Sequence, residues 1–125
     1  MPKRILVVDD IENIRKLLRA FLEEELGFHV CGEAIDGLDA IKQAKDLKPD
    51  LIILDLSMPR MSGLEAAPRL KKILPEVPIV LFTMHESMMR GFNASRIGVD
   101  AVVSKDHGMS ALGERVQSLL QPLAS

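Results

Sequence analysis

Five short apolar runs, separated by segments with helical periodicity, most restrict what this chain of 125 residues can fold into. The runs are RILVV (4–8), FHVCGEA (28–34), LIIL (51–54), PIVLF (78–82) and DAVVS (100–104). Most of them lack the polar–apolar alternation of a half-solvated strand, which indicates strands covered on both faces. The second run is more polar and indicates a strand nearer an edge of the sheet.

The segments between these runs carry the apolar spacing of helices that pack on a sheet. Asp36 is predicted to cap the start of the second helix, and Pro49 is predicted to end this helix. Pro68 lies inside the third helical pattern, from 63 to 74, and predicts that the regular helix starts late or kinks there. The segment 86–98 is a poor helix with Gly91 inside it, and a last helix carries apolar residues from Leu112 onwards. The whole pattern predicts a flavodoxin-like α/β fold, a doubly wound five-stranded parallel sheet in the order 2-1-3-4-5 with helices on both faces.

Length and composition predict a single domain that spans residues 1–125. The formal net charge of −2 is too close to zero to indicate nucleic-acid binding by this domain itself. The single cysteine, Cys31, is expected to be a small buried hydrophobe. No apolar run has the length of a membrane span or of a signal peptide, so a cytoplasmic location without membrane contact is expected.

Polar side chains follow the strands at one predicted edge of the sheet. Asp9 and Asp10 come after the first strand, Asp55 after the third, Thr83 after the fourth and Lys105 after the fifth. Functional groups in doubly wound sheets collect beyond the carboxyl ends of the strands, so these five side chains are expected to converge. Each of these residues, taken alone, could be an ordinary solvated loop residue. Together, however, they form a cluster of three carboxylates, a hydroxyl and an ammonium.

The chemistry of such a cluster follows from its charges. Three neighbouring carboxylates repel one another, so a pKa rises or a cation binds. Oxygen ligands without His or Cys select a hard ion such as Mg²⁺, for which Mn²⁺ is a possible substitute. A carboxylate, a divalent ion, an ammonium and a hydroxyl together suit phosphoryl transfer, with Asp55 as the nucleophile and Thr83 and Lys105 holding the transferred group. Lys105 could pair with Asp55 at rest.

With these residues in this order, the chain resembles the receiver domain of bacterial two-component response regulators. The resemblance rests on ILVVDD, DLIILDLSMPRMSGLE, PIVLFTMH and VVSKD, and it spans nearly the whole chain. It implies a phosphorylation-activated switch, not a classical enzyme, that accepts a phosphoryl group from a sensor histidine kinase. The motifs TMH and SKD are similar to those of the receiver subfamily that carries a C-terminal helix-turn-helix domain. This similarity implies transcription regulation through DNA contacts outside this domain.

The resemblance also implies roles for individual residues. Asp55 matches the phosphoacceptor, and Asp9 and Asp10 match the acidic pair of the Mg²⁺ site, with Asp10 and Asp55 as direct ligands. The backbone carbonyl of Ser57 is expected to complete that site. Thr83 and Lys105 match the switch hydroxyl and the lysine that contacts the phosphoryl group. Pro59 and Gly63 match the turn that shapes the loop after Asp55.

Two positions depart from the family pattern. Val102 stands where receivers commonly have Tyr or Phe, so the usual aromatic half of the switch is missing. Asp106 stands where many members have Pro, so a cis peptide bond is not expected before it. Output is expected through the face of the fourth helix, fifth strand and fifth helix, which is also the expected surface for a homodimer.

Three other functions remain open from the residues alone. A phosphatase with an aspartyl nucleophile would need Asp-x-Asp after the first strand, whereas Asp9 and Asp10 are adjacent. A flavodoxin relative would need a phosphate-binding loop where the chain has VVDDIEN. A degenerate receiver that only binds partners is the third. The methionines near the site are most simply side chains that fill irregular gaps. The alternative hypothesis is that Met84, Met88 and Met89 form an adaptable contact surface and that Met84 shields an acyl phosphate from water.

Overall fold

The computed structural model describes residues 1–84, 87 and 93–120. Within these residues, five parallel strands form one sheet in the order β2-β1-β3-β4-β5. The strands are β1 (Arg4–Val8), β2 (His29–Ala34), β3 (Leu51–Leu54), β4 (Ile79–Thr83) and β5 (Ala101–Ser104). The predicted strand order is confirmed, and the more polar second run is an edge strand. The bounds differ from the predicted runs by at most one residue at either end.

Four α-helices connect and cover these strands in the part of the chain that the structure describes. They are α1 (Glu12–Ala20), α2 (Gly37–Leu47), α3 (Gly63–Ile73) and α4 (Gly108–Leu120). A π-helical turn, Phe21–Glu25, continues α1, and 3₁₀ turns occupy Ala94–Ile97 and Lys105–His107. Six of the thirteen residues of the segment predicted as a fourth helix (86–98), Gly91 included, lie outside the described residues, so α4 is the fifth helix of the sequence prediction.

Two apolar cores, one on each face of the sheet, explain why the strand runs do not alternate. Leu6 and Val8 point into a core with α2 and α3, whereas Ile5 and Val7 point into a core with α1 and α4. All four side chains are buried, so every β1 position after Arg4 carries an apolar side chain. Helices therefore cover both faces, as the sequence predicts.

The helix that contains Pro68 begins earlier than expected. It starts at Gly63 because Ser62 and Glu65 form a reciprocal capping box that satisfies the first turn. Pro68 is the sixth helical residue, where its missing N–H removes one hydrogen bond, and its side chain is exposed. Burial of Ala66, Ala67 and Leu70 on the opposite face holds the helix in place. The predicted late start is wrong.

Gly63 joins α3 to the end of β3 by a close backbone approach. Its N–H donates to the carbonyl of Leu56 at 2.8 Å. A Cβ at this position would overlap the carbonyl oxygen of Asp55 and lie 3.0 Å from Cα of Leu56. Glycine is the residue that allows α3 to start against the backbone of the strand end, so the helix is seated directly beside Asp55.

We predict that Gly63→Ala lowers the free energy of unfolding by about 2 kcal/mol or more, because the added methyl group forces the start of α3 away from Asp55. Urea unfolding followed by circular dichroism measures this change. The control Ser110→Ala, at an exposed site in the first turn of α4, should stay within about 0.5 kcal/mol of the wild type. Equal stability of the two variants would contradict the prediction.

Candidate functional site

Three carboxylates meet at the carboxyl edge of the sheet. β1 and β3 are neighbours in register, with Val8 opposite Leu54, so the residues that follow them, Asp9 and Asp55, lie side by side. The N–H of Asp55 donates to the carbonyl of Val8 at 2.9 Å. One oxygen of each of Asp9, Asp10 and Asp55 lies within 4.8 Å of the others. The structure thus brings together the acidic residues that the sequence predicted to converge.

Lys105 supplies the positive charge of this cluster. It follows β5, and its Nζ lies 2.7 Å from Oδ2 of Asp9 and 3.6 Å from Oδ1 of Asp55. The side chains of Lys105 and Asp9 are only 8% and 2% exposed, so the contact is poorly screened by water. The expected pairing with Asp55 is present as the longer of two contacts, and the hydrogen bond of Lys105 goes to Asp9.

The carboxyl group of Asp55 is buried and electrostatically disfavoured in its ionised form. Its Oδ1 accepts a hydrogen bond from the N–H of Leu56 at 2.9 Å. Burial, followed by the charge of Asp9, raises the pKa of Asp55 to about 6, against the lowering effects of Lys105 and of the Leu56 N–H. Asp55 is therefore mainly ionised at neutral pH but takes up a proton in mildly acidic solution.

The donor set suits a hard divalent cation. It consists of carboxylate oxygens, with Asp9 and Asp55 buried and Asp10 exposed, so a bound ion would face protein on one side and water on the other. Mg²⁺ prefers one or two carboxylates and keeps several waters, which matches this arrangement. Burial and the charge of Asp9 together outweigh the lowering effect of Lys105 on the pKa of Asp55. Ser57 is exposed in the loop after Asp55, and the role of its carbonyl stays a prediction.

Thr83 and Val102 lie on the strands beside this edge. Thr83 is the last residue of β4, is fully buried and stands opposite Ser104 of β5. Val102 stands opposite Leu81 and is half-buried against the core of α2 and α3. The switch role of the Thr83 hydroxyl stays a prediction. The peptide bonds of the described residues are all trans, including the one before Asp106, as expected.

An ion pair between a buried carboxylate and a largely exposed arginine at the same edge was missed by the sequence reasoning. Oδ2 of Asp36 accepts a hydrogen bond from Nε of Arg60 at 2.6 Å, and the Asp36 side chain is 2% exposed. The N–H of Asp39, which bonds the other carboxylate oxygen, and then the Arg60 guanidinium hold the pKa of Asp36 below its ordinary value. The expected cap role of Asp36 is confirmed, but no spacing in the sequence connects it with Arg60.

Two further expectations have definite outcomes. Cys31 is half-buried instead of buried; its thiol donates to the carbonyl of Ile5, and burial raises its pKa, which disfavours the reactive thiolate. Met84 is 57% exposed and lines an apolar cavity of about 300 Å³ with Phe82 and Lys105. Its shielding role stays a prediction, and Met88 and Met89 lie outside the described residues.

Among the helices that the structure describes, none combines the length and the apolar character that a membrane crossing requires. The fold and the site together define a doubly wound α/β domain with a candidate cation site beyond its parallel strands.

Known proteins place this domain in a family. Residues 5–117 match the family described as response regulator receiver domain. The response regulator protein VraR of Staphylococcus saprophyticus is 37% identical over 117 residues, which cover 94% of this chain and 56% of that protein. VraR of Staphylococcus epidermidis is 36% identical over 117 residues, which again cover 94% of this chain and 56% of that protein. The chain belongs to the response regulator receiver domain family, and it spans about half the length of these curated relatives.

Two solved structures share the fold closely. The response regulator TrrA from Thermotoga maritima, solved in complex with Mg(2+)-BeF, has a TM-score of 0.85 and 38% identity over 94% of this chain and 99% of that one. A LuxR-family two-component response regulator from Aurantimonas has a TM-score of 0.88 and 28% identity, covering 96% and 86% of the two chains. Membership of this family argues against the phosphatase and flavodoxin alternatives.

We predict that Asp55→Asn stabilises the metal-free protein at pH 7. The folded-state pKa of about 6 exceeds the ordinary value of 3.8, so ionised Asp55 opposes folding above pH 6. The gain in unfolding free energy is expected to be about 1–3 kcal/mol at pH 7 and to shrink as the pH falls from 6 to 4. Urea unfolding at a series of pH values in the presence of EDTA measures it.

The control for this prediction is Asp46→Asn, which removes the same charge from an exposed position of α2 and should change stability by less than about 0.5 kcal/mol. Added Mg²⁺ should narrow the difference, because it stabilises the wild type by binding the folded state. A destabilised Asp55→Asn protein at pH 7 would contradict the electrostatic account of this site.

Proposed function

We propose that this chain is a single receiver domain, residues 1–125, that works as a phosphorylation-activated signalling switch with Asp55 as its phosphoacceptor. The observation that carries the proposal is the position of Asp55 at the end of a buried strand, with two further carboxylates within 4.8 Å and the Lys105 ammonium at 3.6 Å. The TrrA complex with Mg(2+)-BeF supports it, because beryllofluoride mimics a phosphoryl group and that chain is 38% identical.

The proposed reaction is the transfer of a phosphoryl group to a carboxylate oxygen of Asp55. That oxygen attacks phosphorus, the phosphorus–nitrogen bond of a phosphohistidine breaks, and its electron pair passes to the imidazole nitrogen. With a pKa of about 6, Asp55 is ionised and nucleophilic at pH 7. Lys105 and the Thr83 hydroxyl hold oxygens of the transferred group, and Lys105 exchanges its contact with Asp9 for one of them. The same groups assist the later hydrolysis of the acyl phosphate.

Asp9, Asp10 and Asp55, with the backbone carbonyl of Ser57, are the groups proposed to hold Mg²⁺, or Mn²⁺ in its place. The bound cation neutralises charge on the phosphoryl oxygens during transfer. Asp9 keeps its hydrogen bond to the N–H of Ile11 at 2.9 Å, which fixes the start of α1 relative to the site. Asp10 is exposed and offers its carboxylate from the solvent side.

The partners of this domain follow from the family. The proposed phosphodonor is a sensor histidine kinase in the cytoplasm. The motifs TMH and SKD, which are similar to those of the helix-turn-helix subfamily, support transcription regulation through a DNA-binding domain outside these 125 residues as the proposed output. The face of residues 86–98, β5 and α4 is proposed to carry the signal and to form a phosphorylation-dependent homodimer; residues 86 and 88–92 of it lie outside the described part of the chain.

We predict that Asp55→Asn abolishes labelling of the protein by acetyl phosphate, because the amide cannot attack phosphorus. Intact-mass spectrometry after incubation with acetyl phosphate and Mg²⁺ detects the adduct. EDTA should abolish labelling of the wild type, and Asp46→Asn should label like the wild type. Persistent labelling of Asp55→Asn would refute the assignment of the phosphoacceptor.

A further inference from the structure

The loop that follows Asp55 is tied to the neighbouring β2–α2 junction by one charged contact. Arg60, in the middle of this loop, donates from Nε to Oδ2 of Asp36 at 2.6 Å, and its Nη2 lies 2.5 Å from the same oxygen. The guanidinium side chain is 59% exposed, whereas the carboxylate is 2% exposed. The ion pair therefore covers a buried carboxylate with a side chain that comes from the surface.

Asp36 is a rigid anchor for this contact. Its second oxygen, Oδ1, accepts from the N–H of Asp39 at 2.8 Å and caps α2. The two oxygens of one carboxylate thus bind a helix end and a loop at the same time. A side chain with both oxygens engaged has little rotational freedom, so Arg60 is held at a defined position relative to α2.

The backbone of Arg60 needs such support. Its φ of +64° lies in the left-handed region, which is unusual for an arginine. The N–H of Met61 donates to the carbonyl of Pro59 at 2.7 Å, so Arg60 is the central residue of a γ-turn. A γ-turn with positive φ is strained and costs on the order of 1–3 kcal/mol. Contacts from outside the turn must hold this conformation.

A second contact lies beside the ion pair. The N–H of Gly37 donates to the carbonyl of Met61 at 3.0 Å, and Met61 is buried. A Cβ on Gly37 would come within 2.6 Å of the Met61 side chain, so the first turn of α2 is pressed directly against the loop. The backbone bond and the ion pair act on neighbouring loop residues, and each helps to align the other.

The held loop is the one that carries the proposed metal carbonyl. It begins at Asp55, includes Ser57, and closes where the Gly63 N–H meets the Leu56 carbonyl at 2.8 Å. We propose that the Asp36–Arg60 ion pair positions this loop for cation binding, so that Arg60 is a positioning residue for the metal site. The proposal rests on the proposed function, which places the cation at Asp9, Asp10 and Asp55.

The sharpest test is Arg60→Asn, because asparagine tolerates the left-handed conformation but removes the guanidinium. We expect the dissociation constant of Mg²⁺, measured by isothermal titration calorimetry, to rise about tenfold, comparable to the loss of other groups that orient metal ligands. Asp36→Asn keeps the helix cap and removes the charge, so it should weaken binding by a similar factor. The double variant should bind no more weakly than either single variant, because both remove the same contact.

Arg69→Gln is the matched control, since Arg69 is an exposed arginine of α3, and it should bind Mg²⁺ like the wild type. Thermal unfolding in EDTA, at temperatures well above that of the titration, shows whether each variant is fully folded during the measurement. Unchanged Mg²⁺ affinity of a folded Arg60→Asn protein overturns the proposal, as do additive losses in the double variant. A wild type that binds Mg²⁺ but is not labelled by acetyl phosphate refutes the proposed function alone. The positioning role of the ion pair is judged separately, from the Mg²⁺ affinities of the variants.

Discussion

The balance of charge at the carboxyl edge of the sheet is the constraint on which this molecule depends. Parallel pairing of β1 with β3 forces Asp9 and Asp55 together, and the single ammonium of Lys105 must serve both. Three carboxylates against the ammonium of Lys105 leave an excess of negative charge, and burial, followed by the charge of Asp9, raises the pKa of Asp55. The folded protein thus holds an acidic cluster whose carboxylate oxygens suit a hard divalent cation.

Lys105 prefers Asp9 in this arrangement, and the preference matters for reactivity. A lysine hydrogen-bonded to Asp55 would occupy the proposed nucleophile, whereas the observed lysine holds the neighbouring carboxylate at 2.7 Å and stands 3.6 Å from Asp55. The ammonium is thus already inside the site and only has to exchange one oxygen partner. In the proposed transfer, such an exchange would start from an ammonium whose side chain is already only 8% exposed, so it would require little further desolvation.

Much of this organisation was predictable from the sequence, because parallel strands bring their carboxyl ends to one edge. That rule placed Asp9, Asp10, Asp55 and Lys105 near one another without coordinates, and continuous apolar runs predicted the covered sheet. Contacts that depend on distances of a few ångströms were not predictable. One is the hydrogen bond of Lys105 to Asp9, which is 96 residues away in the sequence, and the other is the pairing of Arg60 with Asp36. The start of α3 was mispredicted because a local rule about Pro68 competed with the capping box of Ser62.

The contacts that hold the loop after Asp55 affect which divalent ion the proposed site would bind. Mg²⁺ demands near-ideal octahedral geometry at short distances, whereas Ca²⁺ accepts flexible sites with more ligands. The loop is held at its end by Gly63 against the strand backbone and at its middle by Arg60 against Asp36. Together these contacts restrict the carbonyl groups of the loop between them. At the proposed cation site, a loop held in this way would favour the smaller ion, so selectivity would depend on Gly63 and Arg60, which are not among the proposed ligands.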